Sequence, residues 1–129
     1  MKCFVDISLK HKGGIPRGPG TAEITISADY KGETHKRKHE ITVERETIQT
    51  LAVRAVVEAL RSFKRPGQDI VIRMRDPYVR GNWKYMEQRH EAGWKTKAGK
   101  EYANAMEWRQ VWMAAQNNRI TFEEPDETM

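Results

Sequence analysis

The chain has 129 residues, of which 32% are charged and 38% hydrophobic. This length fits one domain with a packed core, and no apolar run approaches the roughly 20 residues that a membrane-spanning helix needs. The 23 Lys and Arg residues outnumber the 18 Asp and Glu residues, giving a formal net charge of +5 and a pI near 9.4. This balance favours an anionic partner, and ordinary solubilising charge is the alternative explanation.

Cysteine usage points to a reducing compartment. Cys3 is the only cysteine, so an internal disulfide is excluded. The first four residues lead directly into a strand-like segment, so we expect no signal peptide. We therefore expect a cytoplasmic protein. The histidines lack zinc-ligand spacing, and the glycines lack the spacing of a phosphate-binding loop.

The first half of the chain predicts three strands and a helix. Residues 3–9 read as a strand, and the glycine- and proline-rich residues 10–20 as a loop. Residues 21–28 alternate between apolar and polar, as a half-buried strand does. Residues 30–33 are a hairpin signal that leads into a polar edge strand at 35–43. From Glu46 to Leu60, apolar residues recur at helical spacing.

The second half predicts a strand at 69–74, helices at about 78–91 and 102–116, and a last strand at 119–123. The order is β-β-β-α-β-α-α-β. It predicts a single α/β domain over residues 1–123, with a five-stranded mixed sheet and helices on both faces of the sheet. We expect the acidic tail at 124–129 to fray.

The stretch from 69 to 97 carries the most chemical information. Asp76 follows the carboxyl end of a strand, where open α/β sheets usually place their chemistry. Residues 84–100, here called the basic arm, come next. The charged members of the arm are Lys84, Arg89, His90, Lys95, Lys97 and Lys100, and Trp83 and Trp94 lie beside them. Cations next to aromatic rings suit a phosphate backbone.

The tryptophans have a structural alternative. Trp83, Trp108 and Trp112 recur at helical spacing and favour core positions. Trp94 would then pack the arm against its own helix. The run Lys36-Arg37-Lys38-His39 favours a solvated strand edge that adds to the positive field.

Six short motifs occur in a fixed order along the chain. They are Phe4–Ser8, Gly18–Gly20, Glu58–Leu60, Val71–Asp76 with Tyr78–Arg80, Gly93–Thr96, and Asn104 with Trp108. Each is weak alone. Together with the element order they resemble type 1 ribonuclease H, over nearly the whole chain up to about Glu123. The resemblance implies a ribonuclease H-like fold.

The resemblance also implies two-metal phosphodiester hydrolysis, in which carboxylates hold two Mg²⁺ ions. The first and third carboxylates of the family fall on Asp6 and Asp76, which are the implied catalytic residues and metal ligands. Mn²⁺ would substitute for Mg²⁺. The helix glutamate of the family falls on Gln49, whose neutral amide is a poor replacement. Glu46, one turn earlier, either substitutes for it or only favours the helix N-terminus.

Nucleic-acid contacts are implied as well. In the family the arm grips the substrate, and the matching residues here are Trp94, Lys95 and Lys97, with Lys84, Arg89 and Lys100 as further cations. Gly18 and Gly20 would permit close backbone approach. The family's last aspartate lies beyond its final strand, where this chain offers only Asp126 or Glu124.

The favoured interpretation is a domain that binds an RNA–DNA hybrid or a duplex, with a degenerate two-metal site and at most weak Mg²⁺ binding. Two alternatives stay open. One is an active Mg²⁺-dependent endoribonuclease that cleaves the RNA strand of hybrids, and the other is a protein-interaction module on the same scaffold. Asp6 also has a structural alternative, as a solvated residue on an exposed sheet face.

Overall fold

The computed structural model describes residues 2–12 and 16–125. Its strands are β1 (Lys2–His11), β2 (Gly18–Tyr30), β3 (Glu33–Glu46), β4 (Asp69–Arg73) and β5 (Arg119–Glu123). Its helices are α1 (Ile48–Arg61), α2 (Pro77–Trp83), α3 (Met86–Glu91) and α4 (Ala105–Ala115). No helix in the described ranges is long and apolar enough to cross a membrane.

The strands form one five-stranded sheet in the order β3-β2-β1-β4-β5. The pairs β1–β2 and β2–β3 are antiparallel, and the pairs β1–β4 and β4–β5 are parallel. The predicted mixed sheet is confirmed. The predicted hairpin is also present, with positive φ at Lys31 (53°) and Gly32 (79°), which matches the twist of the flanking strands.

The sequence predicted one helical region at about 78–91. The structure has two short helices there, α2 and α3, separated by Lys84 and Tyr85. Tyr85, at the start of α3, has φ −100° and ψ 2°, outside the helical region. The amide of Tyr85 still bonds back to the carbonyl of Asn82 at 3.0 Å. The two short helices are therefore joined by a tight turn rather than by an open loop.

Helix α1 is the centre of the core. Thr47 caps its N-terminus, where the hydroxyl accepts a hydrogen bond from the Thr50 amide at 3.1 Å. The apolar stripe predicted from the sequence is buried, and it packs on β1 and β2 while α4 lies alongside. Trp108 of α4 is also buried, and Trp83 and Trp112 pack against the same cluster. Trp108 thus takes the core position predicted from the sequence, whereas Trp83 and Trp112 lie partly buried at the margin of the core.

All four helices pack against one face of the sheet in the part of the chain that the structure describes. The buried residues of every helix join one cluster with Val5, Ile7, Ile70 and Ile72. The alternate strand positions point to the other face, which carries mostly polar side chains such as Asp6 and Arg73. The sequence predicted helices on both faces. A polar face does not need to be covered, which accounts for the difference.

Substituting Gly20 tests how closely α1 packs on the sheet. A Cβ at this position would lie 2.9 Å from Leu51 Cδ2 and 3.0 Å from the carbonyl oxygen of Lys10. Because the backbone contact cannot yield cheaply, we expect Gly20→Ala to lower the free energy of unfolding by about 1–3 kcal/mol, measured by urea denaturation.

Gly81→Ala is the matched control for this substitution. Gly81 lies within α2, and a Cβ there would meet nothing within 4 Å. Alanine should leave stability unchanged or raise it by about 0.4–1 kcal/mol. Equal effects of the two substitutions would contradict the close packing of α1 on β2.

Candidate active-site cleft and basic arm

A cleft of about 720 Å³ opens at the carboxyl end of β4, beside the middle of β1 and the start of α1. Its lining includes Asp6 from β1, Arg73 from β4, and Asp76 just before α2. The parallel register places Asp6 directly beside Arg73. The structure therefore brings the two aspartates singled out in the sequence into one cleft.

Asp6 is committed to an ion pair. Arg73 Nε donates to Asp6 Oδ1 at 2.7 Å, and Arg73 Nη2 donates to Asp6 Oδ2 at 2.8 Å. The guanidinium also lies over the Phe4 ring, 4.6 Å from the ring centroid. Bidentate pairs of this kind are strong and directional. Both carboxylate oxygens thus have a resident cation as partner, on the uncovered face of the sheet, where the Asp6 side chain is 44% exposed.

Asp76 has a structural role at the start of α2. Its Oδ1 accepts a hydrogen bond from the Tyr78 amide at 2.8 Å, and Pro77 occupies the first helical turn. An aspartate cap followed by proline is a typical helix start. The motif that suggested a catalytic aspartate is thereby also a helix-start signal.

The remaining implied ligands lie elsewhere. Gln49 is exposed and does not line the cleft, where its neighbour Ile48 lies instead. The Glu46 carboxylate lies 3.4 Å from Arg54 Nη2 and 3.9 Å from Arg17 Nη1. These positions place Glu46 among arginines and outside the lining of the cleft.

The acidic tail contributes little to the cleft as far as it is described. Glu124 pairs with Arg80 Nη2 at 2.8 Å, and Pro125 lines the cleft. Asp126, the other candidate for the last carboxylate, lies outside the described residues.

The cleft does not fit a two-metal site in the described ranges. No group of three or more His, Cys, Asp or Glu side chains within residues 2–12 and 16–125 is arranged to hold a metal ion. Asp6 already binds a guanidinium, and Asp76 caps a helix. Arg73 is the functional residue that sequence reasoning missed. Arg73 is identified as the partner of Asp6 only by the pairing of β1 with β4, and this pairing cannot be read from a single sequence.

The two glycines that were expected to let a substrate approach the backbone have a packing role instead. Gly18 and Gly20 both lie within β2 and are buried. Gly20 faces Leu51 of α1 too closely for any side chain. Their position explains the motif without a ligand.

Two residues of the basic arm, Arg89 and Trp94, pack against the protein and hold the arm in place. Arg89 stacks on Tyr102, with 4.5 Å from Cζ to the ring centroid, and donates to Asn82 Oδ1 at 2.9 Å. Trp94 is only 6% exposed, and its φ is 65°. A ring buried in this way cannot stack on a base, so the structure favours the packing alternative for Trp94.

His90 stacks on Trp112, with 5.1 Å between the ring centroids. The lysines of the arm are exposed. They are Lys84, Lys95, Lys97 and Lys100. A small turn presents the last three, closed by the hydrogen bond from the Thr96 amide to the Lys100 carbonyl at 2.7 Å. Within the described residues, none of the four forms a salt bridge. Lys84 Nζ lies 5.2 Å from the centroid of the Tyr85 ring. The turn with Lys95, Lys97 and Lys100 therefore displays uncommitted positive charge on a fixed backbone.

Cys3 takes no part in either surface. Its side chain is 5% exposed, and burial raises the pKa of the thiol. A buried, protonated thiol behaves as a small apolar group, as the sequence suggested.

No protein-family model and no curated protein matches the sequence. Solved structures do resemble it. LC9-RNase H1, a type 1 RNase H with the type 2 active-site motif, is 20% identical with a TM-score of 0.76 over 98% of this chain. The match spans 63% of LC9-RNase H1, which is less than two thirds of its length.

Two further structures have the same architecture. The RNase H domain of prototype foamy virus is 14% identical, with a TM-score of 0.68 over 99% of this chain and 81% of that one. LC11-RNase H1, solved in complex with RNA/DNA hybrid, is 13% identical, with a TM-score of 0.60 over 97% of this chain and 86% of that one. Together with the strand order and the helix positions, these similarities show that the chain has a ribonuclease H-like fold.

Proposed function

We propose that this domain binds an RNA–DNA hybrid or a nucleic-acid duplex without hydrolysing it. The observation that carries the proposal is the set of exposed lysines on the basic arm, of which Lys95, Lys97 and Lys100 have no ion-pair or ring partner within the described residues. Cations elsewhere are often committed to carboxylates, as Arg54 and Arg109 are. Exposed lysines without acidic partners attract phosphates and give salt-dependent affinity with little sequence preference.

Structural neighbours support the same class of partner. LC11-RNase H1 and the foamy viral protease-reverse transcriptase were both solved in complex with RNA/DNA hybrid. At 13% and 14% identity, they share a fold with this chain and no more. A hybrid would be recognised mainly by its shape, its backbone and its 2′-hydroxyls.

The absence of hydrolysis is the second part of the proposal. Two-metal catalysis requires carboxylates that are available to the ions. Here Arg73 holds both oxygens of Asp6, and the Tyr78 amide holds one oxygen of Asp76. This arrangement favours binding over the endoribonuclease alternative. A cytoplasmic location belongs to the same proposal, because the single cysteine is buried and free.

Charge reversal on the arm tests binding. In Lys95→Glu/Lys97→Glu/Lys100→Glu, the arm no longer neutralises phosphates and hybrid binding should weaken. The slope of log Kd against log salt should fall by up to about 0.9 for each phosphate that is no longer neutralised. Fluorescence anisotropy with a labelled hybrid at several salt concentrations measures both quantities.

The matched control reverses three exposed lysines away from the arm, in Lys2→Glu/Lys12→Glu/Lys31→Glu. Because the change in net charge is the same, the control separates a local contact from the general field of a basic protein. The arm has no special role if both triple variants lose affinity equally.

Metal dependence tests the absence of hydrolysis. We expect a labelled hybrid to stay intact with millimolar Mg²⁺ or Mn²⁺, and we expect chelation by EDTA not to weaken binding. The reason is that Arg73 already neutralises Asp6. Gel electrophoresis of the RNA strand and anisotropy of the complex are the two measurements.

Three outcomes separate the candidate functions. Metal-dependent cutting that Asp6→Asn abolishes would establish the endoribonuclease alternative. A hybrid that is bound and uncut supports the proposal. A hybrid that is neither cut nor bound at low salt favours the protein-interaction module.

A further inference from the structure

A second cavity, of about 350 Å³, lies at the β3 edge of the sheet, next to the end of α1. It is here called the edge pocket, and its lining is Ile26, Ala28, His35, Lys36, Arg37, Ser62 and Phe63. It shares no lining residue with the cleft beside Asp6. The edge pocket is thus a separate feature with its own chemistry.

The walls of the edge pocket differ in character. On the β3 wall, His35 and Arg37 point to the same face of the sheet as Ile26, the face on which the ring of Phe63 and the hydroxyl of Ser62 lie. The side chain of Lys36 alternates to the other face. Ser62 Oγ lies 3.4 Å from His39 Nε2, which links the end of α1 to the strand. Cations facing an aromatic ring suit a ligand that joins a phosphate to a flat, apolar group. A nucleotide unit has both parts.

The charge at this pocket is largely uncommitted. Neither Lys36 nor Arg37 forms a salt bridge within the described residues, and the nearest acidic contact is Glu33, 4.0 Å from His35 Nε2. Lys64 and Arg65 follow Phe63 directly and are exposed. Lysine on an edge strand also discourages pairing with other strands. That role alone requires neither the facing ring nor the cavity.

The edge pocket lies at the β3 edge of the sheet, and the basic arm begins on the side of β5. The segment that leads into the arm packs toward β5, since the Trp83 and Phe122 rings are 5.4 Å apart. β3 and β5 are the outermost strands. Four strand spacings separate them, or roughly 19 Å. A duplex that reaches both edges must be at least about six base pairs long, at 3.4 Å for each pair.

We propose that the edge pocket binds one nucleotide of the same nucleic acid that the arm binds, with its phosphate at Arg37 and its base against Phe63, while Lys36 adds to the positive field at the strand edge. This inference rests on the proposed function and adds a second, distant contact to it. Affinity should therefore depend on duplex length.

Hairpin RNA–DNA hybrids with stems of about 5 and about 14 base pairs separate the two contacts. The variant Lys36→Glu/Arg37→Glu should bind the long stem at least about tenfold more weakly than wild type, with a salt slope lower by up to about 1.8. Binding of the short stem through the arm should change little. Anisotropy titrations measure all of these quantities.

Two more variants complete the experiment. Lys31→Glu/Arg119→Glu changes the net charge equally at exposed positions outside the pocket and should bind the long stem like wild type. Phe63→Leu keeps an apolar side chain and removes the ring. It should weaken long-stem binding while leaving the salt slope unchanged, because the charge of the protein stays the same.

The outcomes distinguish the two proposals. If the long stem binds Lys36→Glu/Arg37→Glu as tightly as it binds the Lys31→Glu/Arg119→Glu control, the edge pocket does not touch the nucleic acid, although binding by the arm stands. If wild type binds neither stem, both proposals fail. If the charge-reversed variant does not fold, Lys36→Gln/Arg37→Gln provides the same comparison with a smaller expected effect.

Discussion

The parallel pairing of β1 with β4 is the constraint on which the cleft depends. It sets Val5 beside Ile72 on the helix-covered face and Asp6 beside Arg73 on the polar face. A shift of one residue would exchange these faces, burying charge and exposing the core, so the register is strongly specified. The same pairing ends at the last residue of β4. The chain then turns into α2, with Asp76 as its cap.

Arg73 determines what the cleft can do. A divalent ion and a guanidinium satisfy the same need, which is positive charge beside two carboxylate oxygens in a partly buried place. The guanidinium is covalently part of the strand, and it is held further by the Phe4 ring. An ion would have to displace it and leave a second cation nearby. Asp6 thus occupies the strand position that the resemblance implied, but its chemistry is that of an ion-pair partner.

The fold was more predictable from the sequence than the site. Local patterns placed the strands, the hairpin at Lys31 and Gly32, and the stripe of α1, because alternation and helical spacing are properties of neighbouring residues. Motif matching also brought Asp6 and Asp76 to one cleft. The partner of Asp6 is 67 residues away in the chain, and Trp94 is buried through tertiary packing. Neither fact is encoded in any local pattern.

The distribution of committed and uncommitted cations connects the fold to its proposed function. Arg73, Arg80 and Arg89 hold the cleft, the tail and the arm through carboxylate, amide and ring contacts. Within the described residues, Lys95, Lys97 and Lys100 of the arm and the lysines of β3 have no such partners, and Lys84 has only the ring of Tyr85. Arginine suits fixed, bidentate or stacked contacts, whereas lysine is a flexible point charge. These three arginines therefore hold parts of the scaffold together. The exposed lysines are free to contact phosphates, whose charge is the same whatever the base sequence.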